Sequence, residues 1–416
     1  MDDDRAGAAG GASRAARPQD LRSRNLASLL SLIYGSDEPL SRAGLAHQTG
    51  LNRSTVSRLI DELVDHGFVA ESAPVPGQRG RPGVPLMPTG ERWLALGLEL
   101  NVQHLAARLI TLDGRVVFDH TQEGDHASLE PDEALRSLTR LARRAARVLP
   151  AGAILVGARL AVPGLVDTHR NLLLRAPNLG WRDVAPVPSL AAALRLPEPA
   201  VTIGNEADCA ALSVARQRPG LPSGFEDFLY VSGEVGIGPA LVRQGRVTPG
   251  RHGWAGEIGH LCIDPSGPRC ACGATGCFET FAGQSALHAA AGVDDRTSLR
   301  RALAAREPRA LQALREAARA VGIALSSALN LLDVTTIVLG GHLGELADEL
   351  QPGISRELSL RVLSAPLQPP QLIGEPVTHT AAATGAAWAI LETVLAHPVG
   401  HFPPAGDRDD TAVPHG

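Results

Sequence analysis

The sequence contains no lysine. All 39 basic residues are arginine, and 44 acidic residues bring the net charge to −5. A negative total excludes a protein-wide nucleic-acid footprint, so any DNA contact must come from a local patch. Arginine is then the only strong cationic donor available to phosphates or guanines.

Long apolar runs are also missing. None reaches the roughly 18–20 residues that span a bilayer, which excludes a transmembrane helix and predicts no membrane partner. Residues 1–20 contain acidic side chains and no apolar core, unlike a secretory signal, so we expect a cytoplasmic location. With 44% hydrophobic and 20% charged residues, the composition is that of a soluble globular protein, and 416 residues suggest two or three domains.

Cysteine is scarce and unevenly placed. Five cysteines argue against a secreted disulfide framework, and four of them lie within sixteen residues. His260, Cys270, Cys272 and Cys277 supply the Cys3His set of a structural zinc site, which has no open position for an activated water. Spacing alone does not exclude Cys262 as a ligand, although its strand-like surroundings favour a buried free thiol. The alternative is a reduced cysteine cluster without metal.

A helix-turn-helix pattern lies between residues 21 and 87. Apolar residues at helical spacing predict a first helix over 26–33, and Ser41 stands at the N-cap position of a second. Gly50 ends that helix, and a third follows the turn. Two short predicted strands follow, joined by a loop rich in Gly, Arg and Pro, and this pattern predicts a wing.

The start of the third helix is the end that enters the major groove in such domains. Asn pairs with adenine and Arg with guanine, whereas hydroxyls and the helix N-terminus suit phosphates. The wing carries two arginines between glycines, suited to the DNA backbone or a minor groove. The alternative is a three-helix bundle with a solvated polar face. The candidate DNA-binding residues are Arg42, Asn52, Arg53, Ser54, Thr55, Ser57, Arg58, Arg79 and Arg81.

After the wing, a unit of strand, hairpin, helix and strand occurs twice. This pattern predicts an α/β domain of two lobes with a cleft between them. The predicted organisation is a disordered tail at 1–20, a winged helix at 21–90, a first lobe at 91–204 completed by a C-terminal helix at about 380–396, a second lobe with the zinc site at 205–379, and a disordered tail at 397–416.

Several motifs together resemble the ROK family, whose name covers repressors, uncharacterised reading frames and sugar kinases. The most specific are AGEIGH at 255–260, CACG at 270–273 and GCFE at 276–279. Supporting motifs are VPGLVD at 162–167, APNL at 176–179 and GNEA at 204–207. The resemblance extends from residue 21 to about 395, and the added winged helix is similar to the repressor branch.

This resemblance implies an actin-like, ribonuclease-H-like ATPase fold with a sugar in the cleft. Carboxylates and amides suit that role because they bond hydroxyls in defined directions. His260 would connect the sugar pocket to zinc, with one ring nitrogen on the metal. The sugar-binding residues that the resemblance implies are Gly164, Asn178, Asn205, Glu206, Glu257, His260 and Glu279.

Three departures from the family's kinases argue against phosphate transfer. The place of the glycine-rich phosphate loop, residues 98–103, has no glycine. Glu206 replaces the catalytic Asp, and its extra methylene displaces a base that must lie within hydrogen-bond reach. Glu234 occupies the second phosphate loop, where a carboxylate repels phosphate oxygens. We therefore expect no ATP and no enzymatic activity.

The sequence thus predicts a sugar-responsive transcription regulator, a repressor released from double-stranded operator DNA by a monosaccharide or sugar phosphate. A homodimer or homotetramer would place paired winged helices on a roughly palindromic site. Two alternatives stay open. One is an ATP-dependent sugar kinase of the family with an added DNA-binding domain; the other is a constitutive DNA-binding scaffold with a vestigial cleft.

Overall fold

The computed structural model describes residues 18–73, 84–375 and 380–402. The chain is a mixed α/β protein in which a winged helix precedes two lobes, as the sequence predicted. Over the described residues, no helix combines the length and apolar character needed to cross a bilayer.

The winged helix packs three helices against a small antiparallel sheet of order β1-β3-β2. Ser41 caps α2 by accepting a hydrogen bond from the Gly44 amide, and Gly50 ends α2 with a left-handed φ of 69°, the conformation that glycine adopts without strain. The buried Tyr34 hydroxyl donates to the carbonyl oxygens of Phe68 and Thr89 at 2.8 Å, which ties α1 to the wing. The elements are α1 (Pro18–Tyr34), β1 (Leu40–Ser41), α2 (Arg42–Thr49), α3 (Arg53–Asp65), β2 (Val69–Glu71) and β3 (Pro85–Pro88).

The first lobe is built on a five-stranded sheet of order β11-β7-β4-β5-β6. The three strands β4, β5 and β6 are antiparallel neighbours, and β7 and β11 extend the sheet in parallel. Its elements are β4 (Trp93–Leu100), β5 (His104–Thr111), β6 (Val116–Glu123), α4 (Pro131–Ala146), β7 (Ile154–Val162), β8 (Leu165–Asp167), β9 (Leu172–Ala176), β10 (Trp181–Val184), α5 (Val187–Leu194) and β11 (Val201–Asn205).

The second lobe repeats this topology in the order β16-β15-β14-β17-β18. Here β14, β15 and β16 are antiparallel, while β17 and β18 are parallel to β14. The predicted duplication is therefore present. The remaining elements are α6 (Glu206–Ala215), β12 (Arg216–Arg218), β13 (Leu221–Pro222), β14 (Phe228–Gly233), β15 (Ile237–Arg243), β16 (Arg246–Val247), α7 (Glu279–Ala282), α8 (Gln284–Ala291), α9 (Arg296–Ala304), α10 (Pro308–Leu332), β17 (Thr336–Gly340), α11 (Gly341–Glu345), α12 (Ala347–Arg361), β18 (Gln371–Gly374) and α13 (Ala381–Ala396).

Helix α13 connects all three parts. It packs on β4 and β7 of the first sheet, on α6 and on α1 of the winged helix. Gly97 in β4 has no room for a side chain because the Ala383 carbonyl oxygen of α13 lies where a Cβ would be. Apolar residues of α1, α3 and α13 belong to one buried cluster, so the winged helix shares its core with the first lobe.

Parts of both segments predicted to be disordered tails are ordered. Helix α1 starts at Pro18, inside the segment predicted to be disordered, and residues 398–401 form a 3-10 turn. Phe402 stacks on His66 with ring centroids 4.0 Å apart and lies 5.8 Å from the Phe68 ring. The disorder prediction is wrong for 397–402 because these apolar contacts hold the segment on the winged helix. The predictions for 1–17 and 403–416 fall outside the described residues.

Replacing Phe402 by Ala should destabilise the winged helix by about 1–2 kcal/mol, because a half-buried aromatic contact is lost. Hydrogen exchange at residues 66–70 measures this locally, which avoids assuming a two-state transition for the whole chain. Leu367→Ala is the control, since that side chain is 89% exposed. Unchanged exchange in Phe402→Ala would contradict the docking of this segment.

Candidate functional site

Two adjoining cavities lie between the lobes. The narrow cavity, of about 60 Å³, brings together all seven residues of the predicted sugar site. The wide cavity, of about 310 Å³, shares Asn101, Glu206 and Glu234 with the narrow one. The predicted residues that line the narrow cavity are Gly164, Asn178, Asn205, Glu206, Glu257, His260 and Glu279.

Gly164 and Asn205 shape the first-lobe wall. Gly164 has a φ of 97° and packs against the backbone of Arg175, so no other residue fits there without strain. The Asn205 amide donates to the Gly164 carbonyl oxygen at 3.0 Å, while its Oδ1 caps α6 by accepting from the Ala207 and Asp208 amides. The side-chain contacts of Asn205 therefore position the loop and the helix that carries Glu206.

Glu206 lies where the two cavities meet. Its Oε2 accepts a hydrogen bond from the side-chain amide (Nδ2) of Asn101 at 3.0 Å. Burial, followed by repulsion from Glu99 and Glu234, raises the pKa of Glu206 to about 8. A carboxyl group with this pKa is mostly protonated at neutral pH, and its protonated form cannot accept a hydroxyl proton.

His260 stands between the cavity and the cysteine cluster. Its Nε2 is 4.0 Å from Glu257 Oε2 in the narrow cavity. Its Nδ1 faces the other way, 3.7 Å from Cys270 Sγ and 3.7 Å from Glu279 Oε1. The imidazole thus has Nε2 on the side of Glu257 and Nδ1 on the side of the cysteines.

The ligand atoms of His260, Cys270, Cys272 and Cys277 all lie within 4.8 Å of one another. Cys272 Sγ and Cys277 Sγ are 3.7 Å apart, and tetrahedral zinc with Zn–S bonds of about 2.3 Å requires S–S edges of about 3.8 Å. The donor set and its spacing therefore fit one zinc ion.

Cys262 lies outside this cluster. Its side chain is exposed and its Sγ is 3.7 Å from the Thr275 carbonyl oxygen. The expectation of a buried thiol was wrong. Cys262 is in an isolated bridge with Cys277 rather than in the core of a sheet, and the bridge leaves its side chain facing solvent.

The loop that replaces the first phosphate loop is a tight β4–β5 turn in which two backbone amides are occupied. The backbone amide of Asn101 donates to the His104 carbonyl oxygen at 2.9 Å, and the backbone amide of Gln103 donates to Asn101 Oδ1 at 3.1 Å. Backbone donors used in this way are not free to cradle phosphates. Asn101 lines both cavities but was not among the predicted sugar-binding residues; its one signal in the sequence is its place in this altered loop.

The candidate DNA-binding residues at the N-terminal end of α3 differ in the contacts that they make within the protein. Arg53 and Arg58 are exposed and have no hydrogen-bond or ion-pair partner within the described ranges. Asn52 Oδ1 caps α3 by accepting from the Thr55 amide at 2.7 Å, and it also accepts from the exposed Ser54 hydroxyl. An oxygen used for capping is less available for bidentate contact with adenine.

Arg42 has a structural role that the sequence did not reveal. Its guanidinium pairs with Asp61 at 2.6 Å and with Glu71 at 2.8 Å, and it donates to the Ser57 carbonyl oxygen at 3.0 Å. These contacts brace α2 against α3 and the wing. Ser57 and Thr55 are half-buried, and Arg79 and Arg81 lie outside the described residues.

Comparison with known proteins agrees with this architecture. Residues 95–393 match the ROK family model, and residues 24–73 match the IclR helix-turn-helix domain. These matches define a helix-turn-helix domain fused to a sugar-kinase-like domain. The chain belongs to the ROK family, and the predicted resemblance is confirmed.

Individual relatives include both repressors and kinases. The xylose repressor of Bacillus spizizenii is 27% identical over 365 residues, covering 86% of this chain and 93% of the repressor. A crystal structure of a ROK family transcriptional regulator, a homolog of E. coli MLC protein, is 25% identical with a TM-score of 0.74, covering 91% of this chain and 97% of that one. The ROK hexokinase from Thermus thermophilus is 28% identical with a TM-score of 0.58, covering 74% and 99%.

Purified protein should contain about one tightly held zinc ion per chain, measured by mass spectrometry of the metal. Cys272→Ser should lose most of it, because three donors hold zinc more weakly than four. Cys262→Ser is a matched control, since it changes the same functional group outside the cluster. Retention of zinc by Cys272→Ser, or its loss from Cys262→Ser, would refute the assigned ligands.

Proposed function

We propose that this protein is a sugar-responsive transcription regulator whose cleft binds a monosaccharide and whose winged helix binds operator DNA. The observation that carries the proposal is the convergence of seven sequence-predicted residues on one cavity beside the Cys3His cluster. The repressor relatives cover nearly the whole chain, winged helix included, and support the same function.

The charge of the cavity favours a neutral sugar over a sugar phosphate. Four acidic side chains line the narrow cavity, from Glu206, Glu234, Glu257 and Glu279, and Glu206 is mostly protonated at neutral pH. His260 is the one basic side chain of this cavity among the described residues. Burial raises the pKa of Glu257, so low polarity already makes charge costly there. A dianionic phosphate would add repulsion, whereas hydroxyls donate to carboxylates and accept from the Asn178 amide.

Phosphate transfer is not part of the proposed function. Two backbone amides of the first loop are engaged, Glu206 is mostly protonated at neutral pH because of its raised pKa, and Glu234 occupies the second phosphate loop. Each feature alone would slow a kinase, and together they disfavour phosphate binding and proton abstraction.

Helix α13 contacts both the cleft between the lobes and the DNA-binding domain. Residues of α13 line the wide cavity, and the same helix shares a buried core with α1. Sugar binding that changes the angle between the lobes would move α13 and the winged helix with it. Two winged helices in a homodimer or homotetramer must match a fixed half-site spacing, so a small rotation changes operator affinity.

Zinc has a structural part in this proposal. It would fix the segment 260–277 and hold His260 with Nε2 towards the cavity, so that the metal positions a sugar contact without a catalytic water. Because operator DNA lies in the cytoplasm of bacteria, the proposal places the protein there.

The second candidate is a sugar kinase with an added DNA-binding domain, and the similarity to a ROK hexokinase favours it. To distinguish the two candidates, purified protein is incubated with ATP, Mg²⁺ and a panel of hexoses and amino sugars, and the formation of ADP is measured. ADP formation that depends on sugar would establish the kinase; its absence, in a sample whose stability a sugar raises, supports the sensor.

Glu257→Ala should abolish the response to sugar but leave DNA binding intact, because Glu257 faces the cavity and lies far from α3 in the chain. Operator is obtained by selection from random duplexes, and its affinity is measured with monosaccharides and their 6-phosphates. The exposed Glu316→Ala serves as the control for loss of a carboxylate. A full response in Glu257→Ala, or a response to the 6-phosphates alone, would contradict the assigned pocket.

Arg53→Ala should weaken operator binding by about 1–3 kcal/mol and relax base preference, because Arg53 is exposed at the start of α3. Competition between operator and single-base variants gives both quantities. Arg319→Ala removes the same charge from an exposed position on α10. If Arg53→Ala lost affinity equally for every sequence, the residue would contact phosphate rather than a base.

A further inference from the structure

Cys262 is a thiol that neither the zinc site nor the sugar cavity uses. The structure describes all five cysteines of the chain, and Cys262 alone among them is exposed. It follows the zinc-site residue His260 by two positions, but its Sγ faces the Thr275 carbonyl oxygen at 3.7 Å and lies outside the Cys3His cluster. The chain thus presents a metal-free, solvent-exposed thiol directly beside a cluster of metal-binding thiols.

The backbone places Cys262 directly opposite the zinc-site residue Cys277, because the two are partners in an antiparallel bridge. Two backbone hydrogen bonds flank the pair, one on each side. They run from the Ile263 amide to the Gly276 carbonyl oxygen at 2.7 Å and from the Phe278 amide to the Leu261 carbonyl oxygen at 2.8 Å. This pattern defines the narrow, non-hydrogen-bonded position of an antiparallel ladder, where opposite side chains share one face.

The spacing of such a pair matches that of a disulfide. Opposite Cα atoms at the narrow position are about 4.5 Å apart, and a disulfide joins Cα atoms that are about 4.4–6.8 Å apart. Bond formation therefore requires side-chain rotation rather than movement of the backbone. Cys262 Sγ must turn away from Thr275, and Cys277 Sγ must turn away from Cys272 Sγ, which is now 3.7 Å from it.

The two thiols differ in how easily an oxidant reaches them. Cys277 is 1% exposed, and in the zinc site its thiolate shares an electron pair with the metal. Cys262 faces solvent and binds no metal. Cysteines that sense oxidants are typically accessible and stand next to a second cysteine that resolves the oxidised sulfur. Cys262 is therefore the thiol that reacts first, and Cys277 is the resolving thiol.

We propose that Cys262 and Cys277 form an oxidation site, at which a peroxide converts the pair into a disulfide and zinc is released. The Cys262 thiolate attacks one oxygen of hydrogen peroxide, the O–O bond breaks, and a sulfenic acid and a hydroxide form. The Cys277 thiolate then leaves zinc and attacks the sulfenic sulfur, which forms the S–S bond and expels a second hydroxide. The proton of the Cys262 thiol and one proton from solvent convert both hydroxides to water. The two sulfurs lose two electrons, and the peroxide gains them.

The disulfide removes one of the four zinc donors. His260, Cys270 and Cys272 remain, and a disulfide sulfur lacks the thiolate charge that zinc requires. Three donors hold zinc more weakly than four, so the ion leaves, and His260 loses the bond that fixes its ring beside the narrow cavity. The effect on that cavity rests on the proposed sugar site, whereas the disulfide and the release of zinc do not.

The test treats the full-length, zinc-loaded protein with hydrogen peroxide while a chromophoric chelator records the release of zinc. A sample without peroxide gives the rate at which the chelator itself removes the ion. The remaining thiols are then alkylated, and mass spectrometry of the peptides identifies the linked cysteines. We expect a disulfide between Cys262 and Cys277, one zinc ion released for each disulfide, and recovery of the zinc-bound thiols after dithiothreitol and zinc are added.

Cys262→Ser keeps all four zinc donors but removes the exposed thiol, so peroxide should release its zinc about tenfold more slowly than that of the wild type. Cys209→Ala is the matched control, since it removes a buried thiol outside the cluster and should leave the rate unchanged. Circular dichroism of each variant shows whether it is folded.

The proposal is overturned if Cys262→Ser releases zinc as fast as the wild type, or if Cys209→Ala slows the release equally. A disulfide between Cys272 and Cys277, a disulfide between two chains, no disulfide at all, or a Cys262–Cys277 disulfide that leaves zinc bound would also overturn it, as would a protein that binds no zinc. None of these measurements uses operator DNA or a sugar, so their failure is distinct from failure of the proposed regulatory function.

Discussion

The geometry of His260 is the constraint on which the site depends. One ring nitrogen faces three thiols and the other faces Glu257, so the residues that fit zinc also fix one wall of the sugar cavity. Glu279 strengthens this connection, since it lines the cavity and contacts both His260 Nδ1 and Cys270 Sγ. A stable cavity wall built from loops needs such a crosslink, because residues 261–277 form little regular secondary structure.

The second organising feature is α13, which is nearly at the end of the chain but packs at the centre of the molecule. It covers the first sheet and contacts α6, the helix that begins at Glu206. Its apolar residues also pack in one buried cluster with those of the winged helix. We therefore expect movements of the lobes and of the DNA-binding domain to be coupled, because close-packed cores transmit displacement. The acidic cleft fits this arrangement: a kinase needs phosphates there, whereas a regulator needs only a ligand that prefers one lobe angle.

The features that could be predicted from the sequence depend on residues close together in the chain. The residues that begin and end α2, the wing strands and the Cys3His quartet all follow from spacings of a few residues. The seven cavity residues were also predictable, because each belongs to a short family motif. Only the resemblance to the ROK family predicted that these motifs meet at one cavity, because composition alone does not show which motifs lie close together.

The features that could not be predicted depend on distant pairs. The Asn101–Glu206 hydrogen bond joins residues 105 positions apart, and the bond from the Ala383 amide to Glu99 spans 284. The Arg42 ion pairs and the Phe402 contact likewise join separate elements, and no local pattern marks them. Local signals assigned Phe402 to a disordered tail, whereas it packs on the winged helix. They also gave no sign of the ion pairs that Arg42 forms with Asp61 and Glu71.

The most direct test is the reciprocity of sugar and operator binding. A monosaccharide found by thermal-shift screening is titrated into free protein and into the protein–operator complex, and operator is titrated with and without that sugar. Thermodynamic linkage requires the two changes in affinity to be the same factor, and coupling of about 1–3 kcal/mol predicts roughly 5- to 150-fold. Equal factors in this range, without consumption of ATP, are the predicted result. A sugar affinity that operator leaves unchanged would contradict the account.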